Sequence, residues 1–379
     1  MNKNEQSSKW EHLGLSQWPF YTTVDDSNAS IWADREEVKM LIDRLTWQWA
    51  RQDRSYVHLV WGDLGTGKSH TLLYLRHYFL EQAHLGVLPI RAVMPKEFKG
   101  FLEVYKAIMS ALDLDVVAEL FTHVYHDYGS RQAVMRALFP DVPDAINALI
   151  QMRSDDENKK RLAETWLRGI NLTRGQMDVL GISRNIKDTN DCVPMLSGLI
   201  KIVTASKKYH RILIMLDECQ RTFEFKPAIG RNINVGLQTW TDANTEHLTL
   251  VLAYKCGREQ DLISLLSEDI KSRITYPTIS LPLLDSESSL QFVHSVLQQC
   301  RTEKGDLSWS PFSENVVKSV IQQLTRKGGT TPRHLMKAFN ALLSEADYQT
   351  LNNGHIELGK DQAIKIAEDA LSEPFAEEE

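Results

Sequence analysis

The chain has 379 residues, of which 42% are hydrophobic and 25% are charged. These fractions are typical of globular proteins and exclude a disordered, collagen-like or small disulfide-stapled protein. The length allows two or three domains, or one large α/β domain with a smaller helical one. No stretch approaches the roughly 20 apolar residues of a membrane span, and the first ten residues lack the apolar core of a signal peptide. We therefore expect a cytoplasmic protein with no membrane partner.

The formal net charge of −7 argues against a protein that coats DNA without specificity. The charge is unevenly placed, because residues 341–379 contain ten Asp or Glu against two Lys. Residues 151–211 contain twelve Lys or Arg against seven Asp or Glu. The sequence contains four cysteines, Cys192, Cys219, Cys256 and Cys300. They are isolated from one another, so we expect neither a disulfide framework nor a zinc site.

The first predicted elements form a βαβ unit. Residues 56–61 are an apolar, β-rich run that ends at a glycine-rich turn, which predicts a buried strand. A helix with an apolar face over 72–80 follows at once, and residues 90–94 predict a second strand. This order implies a parallel sheet. An amphipathic helix is then predicted over 101–112.

The rest of the chain divides into three stretches. Residues 116–208 show helical periodicity broken by Gly and Pro, and we interpret them as a helical insertion. The sheet resumes at 211–216, an apolar run typical of a central parallel strand, with further strands at 248–254 and 278–281. After Pro282 only helical patterns appear, at 285–301, 313–326, 332–344 and 360–371. These patterns predict a lead-in over 1–30, an α/β domain over 31–282 and a helical domain with an acidic tail over 283–379.

One motif predicts a phosphate-binding loop. Residues 62–69, GDLGTGKS, fit G-x-x-x-x-G-K-[ST] between a strand and a helix, as the mechanism requires. The glycines let backbone N–H groups and the helix N-terminus face phosphate oxygens. Lys68 would neutralise the β- and γ-phosphates, and Ser69 would bind Mg²⁺. The expected nucleotide-binding residues are Gly62, Asp63, Leu64, Gly65, Thr66, Gly67, Lys68, Ser69 and His70. The alternative is a chance glycine turn before a helix.

Two carboxylates follow the apolar run at 211–216. Asp217 and Glu218 stand at the predicted carboxyl edge of the sheet, beside the phosphate loop, in the Walker B position. Asp217 would hold the Mg²⁺ shell, and Glu218 would polarise the attacking water. An Asp-Glu pair after a strand is otherwise often a helix N-cap.

With these motifs, the chain resembles an AAA+ ATPase, a ring- or filament-forming family of the ASCE class of P-loop proteins. The resemblance implies Mg·ATP bound between an α/β domain and a helical lid. Arg273, just before the last strand, matches the finger that enters a neighbouring subunit's site. Arg333, in GGTTPRHL, resembles the sensor 2 arginine that touches the γ-phosphate in cis. The alternatives are a surface arginine for Arg273 and an ordinary first-turn helix residue for Arg333.

The sensor 1 position of such proteins would fall at residues 253–255. Tyr254 and Lys255 depart from the small polar residue usual there, and a core tyrosine is the alternative for Tyr254. Residues 13–20 and 31–36 resemble the lead-in of the origin-recognition and initiator clade, which includes ATPases of transposition and type II secretion. Such lead-ins pack over adenine, so Phe20, Ile31 and Trp32 are candidates for that contact. Core packing is equally compatible with these three residues.

The insertion is the most distinctive segment. Its end, from Glu164 to the Asp217-Glu218 pair, resembles ATP-binding proteins of phage-exclusion (BREX) operons. Its positive charge suggests a DNA-facing surface, although a solvated helical face has the same composition. The candidate phosphate contacts are Lys159, Lys160, Arg161, Lys207 and Lys208. No winged-helix or helix-turn-helix pattern is visible, so sequence-specific DNA reading is not expected.

Together these features predict an ATPase that assembles into a homo-oligomer through its ATP interfaces. Its expected target is DNA or a DNA-bound, operon-encoded partner in phage defence or a mobile element. Two alternatives are a nucleotide-switched signalling protein that recruits an effector, and an ATPase that remodels proteins without DNA.

Overall fold

The computed structural model describes residues 9–23, 25–33, 35–224, 226–303 and 308–372. Asp34 and the end of the acidic tail lie outside these residues. The chain forms two compact units. The first, here called the loop unit, comprises Met1–Met40, Gly62–Tyr74 and Leu281–Glu379. The second, the sheet unit, comprises Leu41–Trp61 and Leu75–Ser280.

A five-stranded sheet forms the centre of the sheet unit, and all five predicted strands are present. They are β1 (Tyr56–Gly62), β2 (Val87–Val93), β3 (Arg211–Asp217), β4 (Leu248–Lys255) and β5 (Ile279–Leu281). Their order is β2-β3-β4-β1-β5, and β3 pairs in parallel with both β2 and β4. Every residue of β3 is buried, as expected for a central strand covered on both faces.

The helices up to β5 include the predicted ones after residues 69 and 100 and others to which the sequence analysis assigned no element. They are α1 (Glu36–Trp49), α2 (Lys68–Glu81), α3 (Phe101–Ala111), α4 (Leu114–Tyr128), α5 (Arg131–Leu138), α6 (Asp144–Gln151), α7 (Glu157–Leu167), α8 (Arg174–Leu180), α9 (Thr189–Ala205), α10 (Pro227–Ala243), α11 (Glu259–Leu265) and α12 (Glu268–Lys271). The insertion is confirmed as six helices, α4 to α9, and residues 94–210, all of them described, contain no strand.

The insertion shares one hydrophobic core with the sheet. Side chains of α4 to α9 and of the strands belong to the same buried cluster. Trp166 is 1% exposed and donates its indole N–H to the carbonyl of Arg184, at 3.0 Å. The Tyr105 hydroxyl donates to the Leu167 carbonyl, at 2.5 Å. The insertion is therefore an extension of the α/β core and has no separate core of its own.

Four helices follow β5 in the described part of the loop unit. They are α13 (Ser286–Gln299), α14 (Glu314–Thr325), α15 (Pro332–Asn353) and α16 (Lys360–Ser372). The predicted end of the third helix, at residue 344, was wrong. Ala346 and Gln349 continue its buried face, and Gly354 ends it in a left-handed conformation at φ 76°. These helices bury one cluster together with lead-in residues such as Leu15 and Phe20.

Two expected absences can be compared with the described residues. No helix in the described ranges is long and apolar enough to cross a membrane. The four cysteines, all described, are free, and three of them are buried. Within the same ranges, no group of three or more His, Cys, Asp or Glu could hold a metal ion.

Candidate functional site

The phosphate loop connects the end of β1 to the start of α2. Gly65 and Gly67 have φ of 77° and 99°, which L side chains rarely adopt. A Cβ on Gly65 would also lie 2.9 Å from Cβ of Arg333 and 3.1 Å from Oγ1 of Thr331. Position 65 therefore needs glycine for its backbone angle and for the close approach of α15.

The Lys68 side chain folds back over this loop. It is 7% exposed, and its Nζ donates to the carbonyls of Gly62 and Asp63, at 3.1 and 2.8 Å. The Asp63 carboxylate accepts from the Leu64 N–H at 2.7 Å, which tightens the turn. Both of these acceptors are neutral main-chain carbonyls of the loop.

The start of α2 supplies further donors. A helix leaves its first N–H groups without intrahelical partners and carries a partial positive charge at this end. In α2 these are the N–H groups of Lys68, Ser69 and His70, and the first turn closes with Thr71 N–H bonded to the Gly67 carbonyl at 2.8 Å. Loop and helix together form an anion site of the kind that binds phosphates.

The side chain of His70 has a different role from its backbone. Its Nε2 lies 2.6 Å from the Ile31 carbonyl, and burial lowers the pKa of the imidazole. This contact joins the lead-in to α2. Trp32 lies edge-on to Tyr74 with ring centroids 4.9 Å apart, so it too packs on α2. Ile31 and Trp32 stay candidates for the adenine contact.

Phe20 lies elsewhere in the loop unit. It is fully buried, and its ring centroid is 5.5 Å from that of Phe339 on α15. Core packing, the alternative considered for this residue, accounts for its position. Of the three lead-in candidates, Phe20 is therefore not available to cover a base.

Arg333 lies at the start of α15, directly beside the phosphate loop. Its backbone N–H donates to the Gly65 carbonyl at 3.2 Å, and its side chain is exposed. Thr331 caps the helix by accepting from the His334 N–H at 3.2 Å. The structure thus brings the predicted sensor 2 residue and the predicted phosphate loop together.

Arg35 also contacts the phosphate loop, and the sequence analysis assigned it no role. Its Nη1 donates to the Thr66 carbonyl at 2.6 Å and its Nη2 to the Pro282 carbonyl at 2.7 Å. It therefore braces the loop against the residue that precedes the C-terminal helices. The only sequence signal was its place in the lead-in, since its partners are 31 and 247 residues away.

Asp217 ends β3 in the sheet unit and is 1% exposed. Its Oδ2 lies 2.6 Å from Nη2 of Arg91, and its Oδ1 accepts from the Glu218 N–H at 3.0 Å. Arg91 lies on the neighbouring strand β2, where Val93 is opposite Asp217. The buried carboxylate is therefore charge-compensated within the sheet unit, a contact that the sequence analysis missed.

Glu218 has an unusual backbone conformation. Its φ of 60° and ψ of 33° are left-handed, which costs a non-glycine residue roughly 1–2 kcal/mol. Its Oε2 accepts from Nε2 of Gln220 at 2.6 Å. Such strain is concentrated at functional sites, where surrounding contacts maintain it. Glu218 stands at the N-cap position of a short 3₁₀ helix, Cys219–Phe223, but its side chain makes no cap hydrogen bond.

Each unit holds one of the two side chains that the sequence analysis assigned to magnesium. Mg²⁺ prefers oxygen ligands and is usually held by one or two protein groups together with phosphates and waters. Ser69 offers a hydroxyl in the first turn of α2, and Asp217 offers a carboxylate at the end of β3. Because so few protein ligands are needed, the lack of a larger metal-binding cluster among the described residues is compatible with this ion.

The end of β4 holds the two residues at the predicted sensor 1 position. Tyr254 is 2% exposed and stacks on Phe223 with ring centroids 5.6 Å apart, and burial raises the pKa of its hydroxyl well above its usual value. It is a core tyrosine. Lys255 has an exposed side chain, but its N–H donates to Oε1 of Gln220 at 2.9 Å.

Arg273 lies between α12 and β5, as the sequence predicts for a finger residue. Its Nη2 pairs with Oδ1 of Asp242 on α10 at 2.6 Å, and both side chains are more than one-third exposed. An exposed pair of this kind contributes little stability. The guanidinium can therefore exchange Asp242 for another anion at small cost.

The basic residues of the insertion are unequal candidates for phosphate contact. Lys160 pairs with Asp115 at 2.9 Å, and that hydrogen bond raises the pKa of its ammonium. Arg161 lies 3.4 Å from the side-chain oxygen of Asn158 and is exposed. Lys207 and Lys208 are exposed as well. Lys160 is thus already compensated, Lys159 is half-buried, and Arg161, Lys207 and Lys208 are open to solvent.

Comparison with solved structures identifies the fold. The ORC2 protein of Aeropyrum pernix, in ADPNP-ADP complexes, matches with a TM-score of 0.53 and 14% identity over 92% of this chain and 72% of that one. The ORC1 protein of the same organism, in complex with DNA, matches with a TM-score of 0.50 and 13% identity over 96% and 69%. The chain has the AAA+ P-loop ATPase fold.

The predicted fold class is thereby confirmed, as an α/β P-loop fold of the origin-recognition type. No protein-family model matches the sequence, and no curated protein matches it. At 13–14% identity the likeness concerns the fold. The chemistry of this chain must therefore be argued from its own residues.

Proposed function

We propose that this chain is an ATPase that binds Mg·ATP and hydrolyses it at interfaces between copies of itself. The observation that carries the proposal is the phosphate loop, with Lys68 folded over it and α15 hydrogen-bonded to Gly65. The Asp217-Glu218 pair at the end of β3 supplies the acidic groups that hydrolysis needs. The ORC2 protein with the same fold was solved in ADPNP-ADP complexes, which supports a nucleotide as ligand.

Each residue has a definite task in this proposal. The loop N–H groups and Lys68 bind the β- and γ-phosphates and orient the terminal phosphoryl group. Ser69 and Asp217 would hold Mg²⁺, which supplies charge neutralisation between these phosphates when bound. Glu218 orients the attacking water and accepts its proton at a carboxylate oxygen. Arg333 acts on the γ-phosphate of its own subunit.

Arg273 completes the site from a neighbouring copy. A guanidinium presents several donors to the charge that develops on a transferred phosphoryl group. To do so, Arg273 must release Asp242, its partner within the single chain. Oligomerisation would therefore switch on hydrolysis by exchanging one anion for another.

We further propose that the ATPase acts on DNA or on a DNA-bound partner in phage defence or a mobile element. The ORC1 protein with the same fold was solved in complex with DNA, which supports this target class. Three cations of the insertion, Arg161, Lys207 and Lys208, are exposed and are candidates for phosphate contacts. The resemblance of the insertion's end to phage-exclusion ATPases supports the biological context.

The test is the rate of ATP hydrolysis by the full chain with and without duplex or single-stranded DNA at low salt. Stimulation by DNA supports the DNA target. ATP hydrolysis that DNA leaves unchanged would favour the signalling or protein-remodelling alternatives. No hydrolysis under any condition, despite ATP binding, would contradict the ATPase itself.

A charge-reversal variant locates the DNA surface. We expect Lys159, Lys160 and Arg161, all changed to Glu, to weaken DNA binding and flatten its salt dependence, because fewer counterions are released. Lys318, Arg326 and Lys327 changed to Glu form the matched control, with the same change in net charge on α14 and the turn after it. Equal losses in both variants would exclude a site at α7.

A further inference from the structure

One side chain joins the strained Glu218 to the end of a neighbouring strand. Gln220 donates from Nε2 to Oε2 of Glu218 at 2.6 Å, and its Oε1 accepts from the Lys255 N–H at 2.9 Å. A backbone N–H can only donate, so the amide must turn its oxygen to Lys255 and its NH₂ group to Glu218. The main chain of β4 thus sets the orientation of the group that holds Glu218.

The Glu218 carboxylate has few other restraints. Arg221 is the nearest cation, and its Nε is 3.9 Å from Oε2, beyond hydrogen-bond distance. In the described part of the chain, Gln220 makes the only hydrogen bond to this carboxylate. One oxygen is therefore fixed and the other is open to a water molecule. This asymmetry is what a residue that orients water requires.

The Gln220 bridge joins Glu218 to a different strand of the sheet, β4. β3 and β4 pair in parallel up to Leu216 and Leu252, close to the ends that carry Glu218 and Lys255. The side chains at the end of β4 cannot make this link, because Tyr254 is buried against Phe223 and the Lys255 side chain is exposed. Only the Lys255 N–H reaches toward Glu218, through Gln220.

We propose that Gln220 is a positioning residue that couples the Glu218 carboxylate to the end of β4. This rests on the proposed ATPase function. The main-chain N–H of Lys255 orients Gln220, and Gln220 orients Glu218. This main-chain donor therefore replaces the polar side chain that the end of β4 lacks. A shift of that strand end relative to β3 moves or releases the amide, and Glu218 then loses the orientation that it needs to activate water.

The first test separates binding from turnover. We expect Gln220→Ala and the isosteric Gln220→Met to lower kcat by about 10²-fold or less, as for a misplaced catalytic group, with the ATP Kd unchanged. In a Glu218→Gln background, Gln220→Ala should cause no further loss, because it acts through Glu218. An equal loss in both backgrounds would overturn the proposal.

The chain offers a closely matched control. Gln349 on α15 donates from Nε2 to Glu345 at 2.8 Å and accepts from the Glu357 N–H at 2.8 Å. It thus bridges a carboxylate and a backbone N–H as Gln220 does, but in the C-terminal helices. Gln349→Ala should leave kcat unchanged, and the melting temperatures of the two Ala variants show whether either effect comes from lost stability.

The second test does not depend on activity. In the nucleotide-free protein, amide hydrogen exchange at Lys255 should be faster in Gln220→Ala than in the parent and unchanged in Gln349→Ala. Unchanged exchange at Lys255 in Gln220→Ala would overturn the proposed link. If Glu218→Gln blocks hydrolysis but Gln220→Ala keeps the parental kcat, the positioning role fails and the ATPase function stands. A parent that never hydrolyses ATP refutes both.

Discussion

The phosphate loop and the acidic end of β3 are held in place by different kinds of contact. The loop is fixed through its main chain, because Lys68, Arg35 and the Arg333 N–H all donate to loop carbonyls. The acidic end is fixed through side chains, with Arg91 on Asp217 and Gln220 on Glu218. Carbonyl contacts define one shape, whereas side-chain contacts can exchange partners. The loop is therefore suited to binding and the acidic end to regulated chemistry.

The largest effect that we expect concerns the arginine contributed by the sheet unit. Arg273→Ala should bind ATP normally and hydrolyse it about 10³–10⁵-fold more slowly, the range known for arginine fingers. Adding Lys68→Ala protein should restore part of the activity, because an interface can then pair an intact loop with an intact arginine. Measured turnover across mixing ratios tests this.

The controls for that experiment are chosen from the same chain. Arg333→Ala should show no rescue by Lys68→Ala protein, because we propose that Arg333 acts in cis and the copies with an intact loop then lack it. Asp242→Asn should leave hydrolysis intact or raise it, because it frees Arg273. Confirmed co-assembly with no rise in activity at any ratio would count against action in trans.

Glu218→Gln tests whether the acidic end of β3 is needed for hydrolysis. The amide keeps the shape of the side chain but cannot accept a proton, so hydrolysis should slow by about 10²–10⁴-fold. ATP affinity should stay at the parental value, as measured by isothermal titration. Hydrolysis at the parental rate would make Glu218 a structural residue and place the catalytic base elsewhere.

Lys68→Ala tests whether the phosphate loop is needed for ATP binding. The variant loses the charged donor that lies over the loop, and one charge-assisted hydrogen bond corresponds to about 10–100-fold in affinity. We expect the ATP Kd to rise by that factor in a protein that remains folded by circular dichroism. An unchanged Kd in a folded variant would show that the loop does not bind the phosphates.

The smallest effects that we expect are on stability, and they distinguish the side-chain pair of Arg91 and Asp217 from the main-chain contacts of Arg35. Arg91→Met should destabilise the nucleotide-free protein by about 1–3 kcal/mol, because Asp217 is left buried and charged. Most of this loss should vanish in an Asp217→Asn background, a coupling of about 0.5–3 kcal/mol. Arg35→Met, which removes the hydrogen bonds to the Thr66 and Pro282 carbonyls, should lose stability equally in both backgrounds. Urea unfolding of Arg91→Met and Arg35→Met, each in the parent and in the Asp217→Asn background, measures these differences. Equal losses for Arg91→Met in both backgrounds would refute the pairing.

The sequence was informative wherever a function depends on contiguous residues. The phosphate loop, the acidic pair and the five strands are local patterns, in which neighbours along the chain are also neighbours in space. The insertion was recognisable for the same reason, since helical periodicity is a short-range property. The end of α15 was misplaced because its last turns are buried by other helices, and local periodicity carries no record of them.

The tertiary structure alone decided which distant groups meet. Arg91 and Asp217 are 126 residues apart, and only the pairing of β2 with β3 makes them neighbours. Gln220 stands two residues from Glu218, yet their contact depends on a left-handed turn, and its other partner, Lys255, arrives with β4. The sequence indicates which chemistry to expect of this protein, because motifs are local. The fold determined how that chemistry is restrained, because hydrogen bonds between strands depend on register, which a linear pattern does not contain.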